Sequence, residues 1–184
     1  MKHDNTEKNS VSQEIFEWIE TAAIAVVIVV CIFTFICRVV MVDGPSMTPT
    51  LLDGQRVVVA EIFYKPKAGD VVIACIPGKS DPYVKRVIAT EGQTVDFNQL
   101  SGKLMVDGVE LDEPYLNEPM TRTDWYDPSI YPLTLDKDEV FICGDNRNHS
   151  NDSRYSSIGP VDVDNIMGRV VFVLTPFTQM GKVK

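Results

Sequence analysis

Hydrophobic and polar positions divide the chain into two unlike parts. From Ala22 to Cys37 no residue carries a charge, and Val39–Val42 continues the apolar run past a lone Arg38. Beyond Asp43 the apolar residues come instead in short, β-branched bursts: 55–62, 71–76, 83–90, 103–106, 109–111, 139–143 and 168–174. Turn signals bound these bursts, among them Asp53-Gly54, Gly69-Asp70, Pro77-Gly78 and Glu91-Gly92. Asp107-Gly108 is the dipeptide favoured in a two-residue hairpin turn, so 103–106 and 109–111 are expected to pair. No window after residue 43 keeps a helical period over several turns. The pattern predicts a mainly β fold, an antiparallel sheet of sandwich or barrel-like form. Residues 113–138 hold four prolines and many acids, and read as a long surface excursion without an assignable element.

The apolar run predicts a different element. Ala22–Val42 is 21 residues if Arg38 snorkels, and at about 1.5 Å per residue it matches a bilayer core of roughly 30 Å. In lipid only a helix satisfies its own backbone groups. A buried core helix would show a polar face, which is missing. A cleaved leader would end in small residues, which Arg38-Val39-Val40-Met41 does not offer. The expected organisation is a polar tail over 1–20, a transmembrane signal-anchor helix over 21–42 and a β-rich domain over 43–184. Lys2 and Lys8 before the span and Arg38 after it leave its orientation open.

Charge and composition narrow the chemistry. A net charge of -9 and a pI of about 4.7 exclude a nucleic-acid partner. His3 and His149 are the only histidines, so a histidine-rich metal site is excluded, and no metal or cofactor is expected. The four cysteines, 31, 37, 75 and 143, form no metal-ligand spacing. Cys75 and Cys143 read as two buried thiols, with pairing left as the alternative.

Three stretches can carry chemistry. Ser46 lies between Pro45 and Pro49 in Gly44-Pro45-Ser46-Met47-Thr48-Pro49-Thr50-Leu51. Proline restricts the loop, and a nucleophile benefits from restraint, although an ordinary turn serine would look the same. Lys85 and Arg86 share the strand-like run 83–90, and both of its faces are apolar, so alternation does not say which cation is buried. Only a desolvated lysine can lose its proton near neutral pH; a lysine snorkelling from a strand is the plain structural alternative. Gly144–Arg154 follows an apolar strand with glycine, charge and small hydroxyls. It suits either an Asx-turn loop or a shell that orients catalytic groups, with His149 a second candidate base.

Gly44–Leu51, Gly69-Asp70-Val71-Val72, Lys85-Arg86-Val87 and Gly144-Asp145-Asn146-Arg147 through Ser150–Arg154 occur in this order. Together they resemble the conserved boxes of bacterial type I signal peptidases, over roughly Ser46 to Val171. The resemblance implies a membrane-bound serine endopeptidase that removes signal peptides from secretory preproteins after Ala-X-Ala-like sites. Ser46 then falls on the nucleophile and Lys85 on the general base. Ser150 falls on a serine that hydrogen-bonds the lysine, Asp152 and Arg154 on one supporting ion pair, and Asp145 and Arg86 on another. His149 becomes a surface residue. The resemblance also implies a monomer in the plasma membrane, its N-terminus cytoplasmic and its catalytic domain extracytoplasmic.

Better-known two-span members of that family carry a serine two positions before the nucleophile, whose hydroxyl helps to bind the oxyanion. This chain has Gly44 there, as many single-span Gram-positive members do, and Pro45 has no N–H, so the Ser46 N–H is the loop's surest oxyanion donor. Self-cleaving repressors share a similar Ser/Lys pair, but need a DNA-binding helix-turn-helix where this chain has its apolar run. A membrane-anchored β module without catalysis is the alternative from another class.

Overall fold

The computed structural model describes residues 4–35, 37–61 and 64–183, and divides the chain into Met1–Cys37 and Arg38–Lys184. The first unit is one helix, α1 (Asp4–Phe35). Its described side chains, 13–31, are all exposed. Among the described residues no helix is long and apolar enough to cross a membrane. The predicted helical span of 21–42 stops at Phe35, and Cys37–Met41 form a strand, β1. Val39 and Val40 are β-branched, which suits a pleated strand as well as an apolar helix, so hydropathy alone does not separate the two.

The second unit is built of β2 (Arg56–Ala60), β3 (Val71–Ala74), β4 (Tyr83–Thr90), β5 (Thr94–Asn98), β6 (Lys103–Val106), β7 (Val109–Glu110), β8 (Leu133–Thr134), β9 (Glu139–Cys143), β10 (Val161–Asp162), β11 (Ile166–Thr175) and β12 (Gly181–Lys182). The larger sheet has the order β1-β2-β11-β3-β4-β9-β10, with β12 against β11; the smaller has the order β7-β6-β5-β8. From β2 onward every assigned pairing is antiparallel. The fold is mainly β, as expected. Asp107 and Gly108 both have positive φ, 52° and 78°, the conformation that the β6–β7 turn requires.

β4 is the strand that matters for function. It lies between β3 and β9, with Val72 opposite Lys85 and Cys143 opposite Arg86. It is buried without interruption from Lys85 to Ala89. Both faces are covered, which is why alternation could not choose between the two cations: both are buried, Lys85 at 4% exposure and Arg86 at 2%.

Two expectations change here. The 113–138 stretch is not a surface excursion alone. Met120, Trp125, Tyr131 and Leu135 are buried together with Val95, Phe97 and Leu104 of the smaller sheet and Phe141 of β9. Trp125 meets Phe97 and Tyr131 edge-on at 5.1 and 5.6 Å, and its Nε1–H donates to the Arg122 carbonyl at 2.8 Å. The cysteines also differ from expectation: Cys143 is buried, Cys75 is exposed, and both are free thiols. Cys75 directly follows the end of β3, where the chain leaves the sheet.

If 113–138 is part of the core, Trp125→Ala costs about 3–5 kcal/mol, as large-to-small core substitutions do. Urea unfolding followed by circular dichroism measures this. An unchanged midpoint would mean the segment is an appendage.

Candidate active site

The Ser46 loop is held from three sides. Met47 and Leu51 are fully buried in the core formed by β2, β3 and β11, so the residues flanking the serine act as plugs. Gly44 has φ +83°, and its N–H donates to Asp53 Oδ1 at 2.8 Å, closing the entry to the loop. The Asn146 N–H donates to the Ser46 carbonyl at 3.0 Å, and Asn146 Nδ2 to the Pro45 carbonyl at 3.1 Å. Among the described residues nothing accepts the Ser46 N–H.

Lys85 Nζ lies 2.8 Å from Ser46 Oγ and 3.0 Å from the Val84 carbonyl. Burial pushes the Lys85 ammonium down to about 8; the Asp152 charge opposes that shift without cancelling it. An amine with that value has an appreciable neutral fraction near physiological pH, and in that form it can accept a hydroxyl proton over a hydrogen-bond distance.

Around this pair the carboxylates are committed elsewhere. Asp152 receives Arg154 Nε at 2.7 Å and Nη2 at 2.9 Å, as well as the Gly144 N–H at 2.9 Å. Burial alone would raise the Asp152 carboxyl, but the Arg154 charge and these hydrogen bonds hold it below the usual range. Asp145 receives Arg86 Nε at 2.9 Å and Nη2 at 2.8 Å, and the Thr50 hydroxyl donates to it as well. Arg86 Nη1 also donates to the Gly69 carbonyl at 2.6 Å, a contact that uses the left-handed turn at Gly69 (φ +90°). The structure therefore brings together Ser46, Lys85, Arg86, Asp145, Asp152 and Arg154. His149 is exposed.

One expected contact is absent. Ser150 is buried, but its hydroxyl does not bond Lys85; it lies near enough to Asp152 to help hold that carboxyl down, yet out of hydrogen-bonding geometry with any described group. Lys85 Nζ is turned to Ser46 and to its own strand's carbonyl instead. Ser150 packs against Gly144, where an added Cβ would stand 2.3 Å from Ser150 Oγ and 2.4 Å from the Ser46 carbonyl oxygen.

Three contributors escaped sequence reasoning. Asn146 and Arg147 stood inside a recognised motif, but nothing in their spacing announced their partners. Glu113 lay in an unassigned stretch; it forms a buried ion pair with Arg147, whose Nε donates to the Gly144 carbonyl at 3.0 Å.

With this geometry in place, residues 15–175 match the signal peptidase family, peptidase S26. The chain belongs to that family. A signal peptidase I of Bacillus amyloliquefaciens is 34% identical over 97% of this chain and 97% of its own length. Signal peptidase IB of Staphylococcus aureus is 37% identical over 91% of this chain and 93% of its own. A crystal structure of a signal peptidase I from Enterococcus faecalis is 31% identical, covers 61% of this chain and 98% of its own, and has a TM-score of 0.48. The non-catalytic alternative finds no support among these relatives.

Gly144→Ala must displace the Ser46 carbonyl, Ser150 or both. A 1 Å misplacement costs about 10²-fold, so kcat/KM of the peptidase should fall by that order while circular dichroism is retained. Wild-type turnover would show that Gly144 does not constrain the serine.

Proposed function

We propose that this chain is a membrane-anchored signal peptidase I that cleaves secretory preproteins after Ala-X-Ala-like sites, with Ser46 as nucleophile and Lys85 as general base. The observation that carries the reading is a buried lysine with a value of about 8 whose Nζ stands 2.8 Å from a restrained serine hydroxyl. Ser46 Oγ attacks the scissile carbonyl carbon as its proton passes to neutral Lys85. The oxyanion forms against the unoccupied Ser46 N–H; one such donor is typically worth about 10²–10³ in rate. The Gly44 N–H, held by Asp53, is committed elsewhere. Protonated Lys85 then gives its proton to the leaving amine, and the acyl group stays on Ser46 as an ester. Lys85, neutral again, activates the water that releases it.

Arg86–Asp145 and Asp152–Arg154 support the pair indirectly, by fixing β4 and the 144–154 loop. The substrate lies extended in the cleft beside Ser46, between the edge strand β1 and the start of β4, where Val40, Ile73 and Val84 offer shallow apolar walls to small side chains.

The α1 helix is the anchor in this reading. Its Ile24 and Val26–Val30 are all exposed. Trp18–Phe35 carries a single charge, Glu20, and 18 residues span about 27 Å, close to a bilayer core of roughly 30 Å. The tail before Trp18 is then cytoplasmic and the catalytic unit extracytoplasmic, where preproteins emerge.

A labelled preprotein incubated with the full chain in detergent tests the assignment. Ser46→Ala and Lys85→Ala should each abolish cleavage with the fold retained; normal turnover in either would end it. His149→Asn should cleave within a few-fold of wild type, and a loss of several orders of magnitude would restore histidine as base. Only neutral Lys85 accepts the serine proton. Therefore kcat/KM should rise with pH to a plateau, with a midpoint near 8. A flat profile from pH 6 to 10 would contradict a lysine base.

A further inference from the structure

The cleft beside Ser46 and Lys85 has a volume of about 410 Å³ and carries Asp43 and Asp81 on its lining. Both aspartates are exposed. Among the described residues neither forms an ion pair; Asp81 takes one hydrogen bond, from the Ser80 hydroxyl, and that leaves its charge in place. Among the described residues the only cation on the lining is Lys85, and in the role proposed above it is neutral when the enzyme is ready to act. The cleft thus presents two uncompensated carboxylates to whatever peptide enters it. Asp43 lies three positions before Ser46 and Asp81 four before Lys85, so each half of the catalytic pair has an acidic neighbour on its own segment.

We infer that Asp43 and Asp81 set a charge preference in the substrate cleft, favouring peptides with Lys or Arg within two residues of the scissile bond and rejecting those with Asp or Glu. The inference rests on the signal-peptidase reading of the site. Its physics is direct. A like charge brought into a partly enclosed cleft is repelled and an opposite one attracted, and charge patterning of this kind selects among partners more than it adds raw affinity. Because the carboxylates are solvent-exposed, the effect is moderate and screened by salt.

The test uses the full chain in detergent and three peptides that differ in one residue before the cut: Ala-Gln-Ala, Ala-Lys-Ala and Ala-Glu-Ala. At an ionic strength of about 0.01 M, kcat/KM should favour Lys over Glu by roughly tenfold, with Gln between them. The ratio should shrink towards one at about 1 M salt, where the Debye length is about 3 Å. In an Asp43→Asn/Asp81→Asn double variant it should fall below about twofold even at low salt. The salt series on wild type stands alone if the double variant does not fold. Cleavage of all three peptides at equal rates overturns the inference and leaves the signal-peptidase reading intact. So does a Lys/Glu ratio that survives either high salt or the double substitution. Failure to cleave any of the three overturns both.

Discussion

An amine buried beside carboxylates ordinarily stays charged, because a nearby opposite charge favours its charged form. Lys85 escapes this because the carboxylates near it already have partners. Asp152 is bound to Arg154 and Asp145 to Arg86, all four side chains at 3% exposure or less. Burying charges is costly unless the remaining hydrogen-bonding capacity is satisfied, and here the backbone satisfies it: the Gly144 N–H bonds Asp152, while the Gly69 and Arg147 carbonyls take Arg86 and Arg154. With the negative charges neutralised in pairs, desolvation dominates the amine and brings it within reach of neutrality near physiological pH. The two ion pairs therefore serve the site less as donors to substrate than as a means of leaving one lysine without a counter-ion.

The sheet makes this arrangement possible. A central strand covered on both faces can direct consecutive residues to opposite sides. β4 does so with Lys85 towards Ser46 and Arg86 towards Asp145. The serine loop and the 144–154 loop then meet where a side chain on residue 144 would not fit. Gly144 lets the Ser46 carbonyl approach, and Asn146 holds that carbonyl and the one before it. Restraint that looked at first like a property of two prolines is shared among buried Met47 and Leu51, the asparagine and the glycine.

Much of this was legible in the sequence. The β bursts, the Asp107-Gly108 turn and the four ordered boxes identified the fold class and six residues that the structure gathers in one place. What was not legible was long-range. Glu113 and Arg147 lie 34 positions apart, and no local pattern joins them. Trp125 and Tyr131 sit among prolines and acids, whose polarity hides the inward turn of the rings. β5 was missed because Val95 and Phe97 alternate with polar Thr94, Asp96 and Asn98, a short signal bounded by turn residues. The strand over Cys37–Met41 was absorbed into the preceding helix because β-branched residues serve both. Ser150 shows the opposite limit: a motif position predicted a hydrogen bond to Lys85 that the observed side-chain geometry does not make.

The central claim is that Lys85 is neutral when Ser46 needs a base. The most direct measurement is a carbon-13 NMR titration of the lysine ε-carbons in the full chain in detergent micelles, with Lys85→Met identifying the Lys85 resonance. A midpoint near 8 for Lys85 is the predicted result; titration at the ordinary 10.5 would contradict the account.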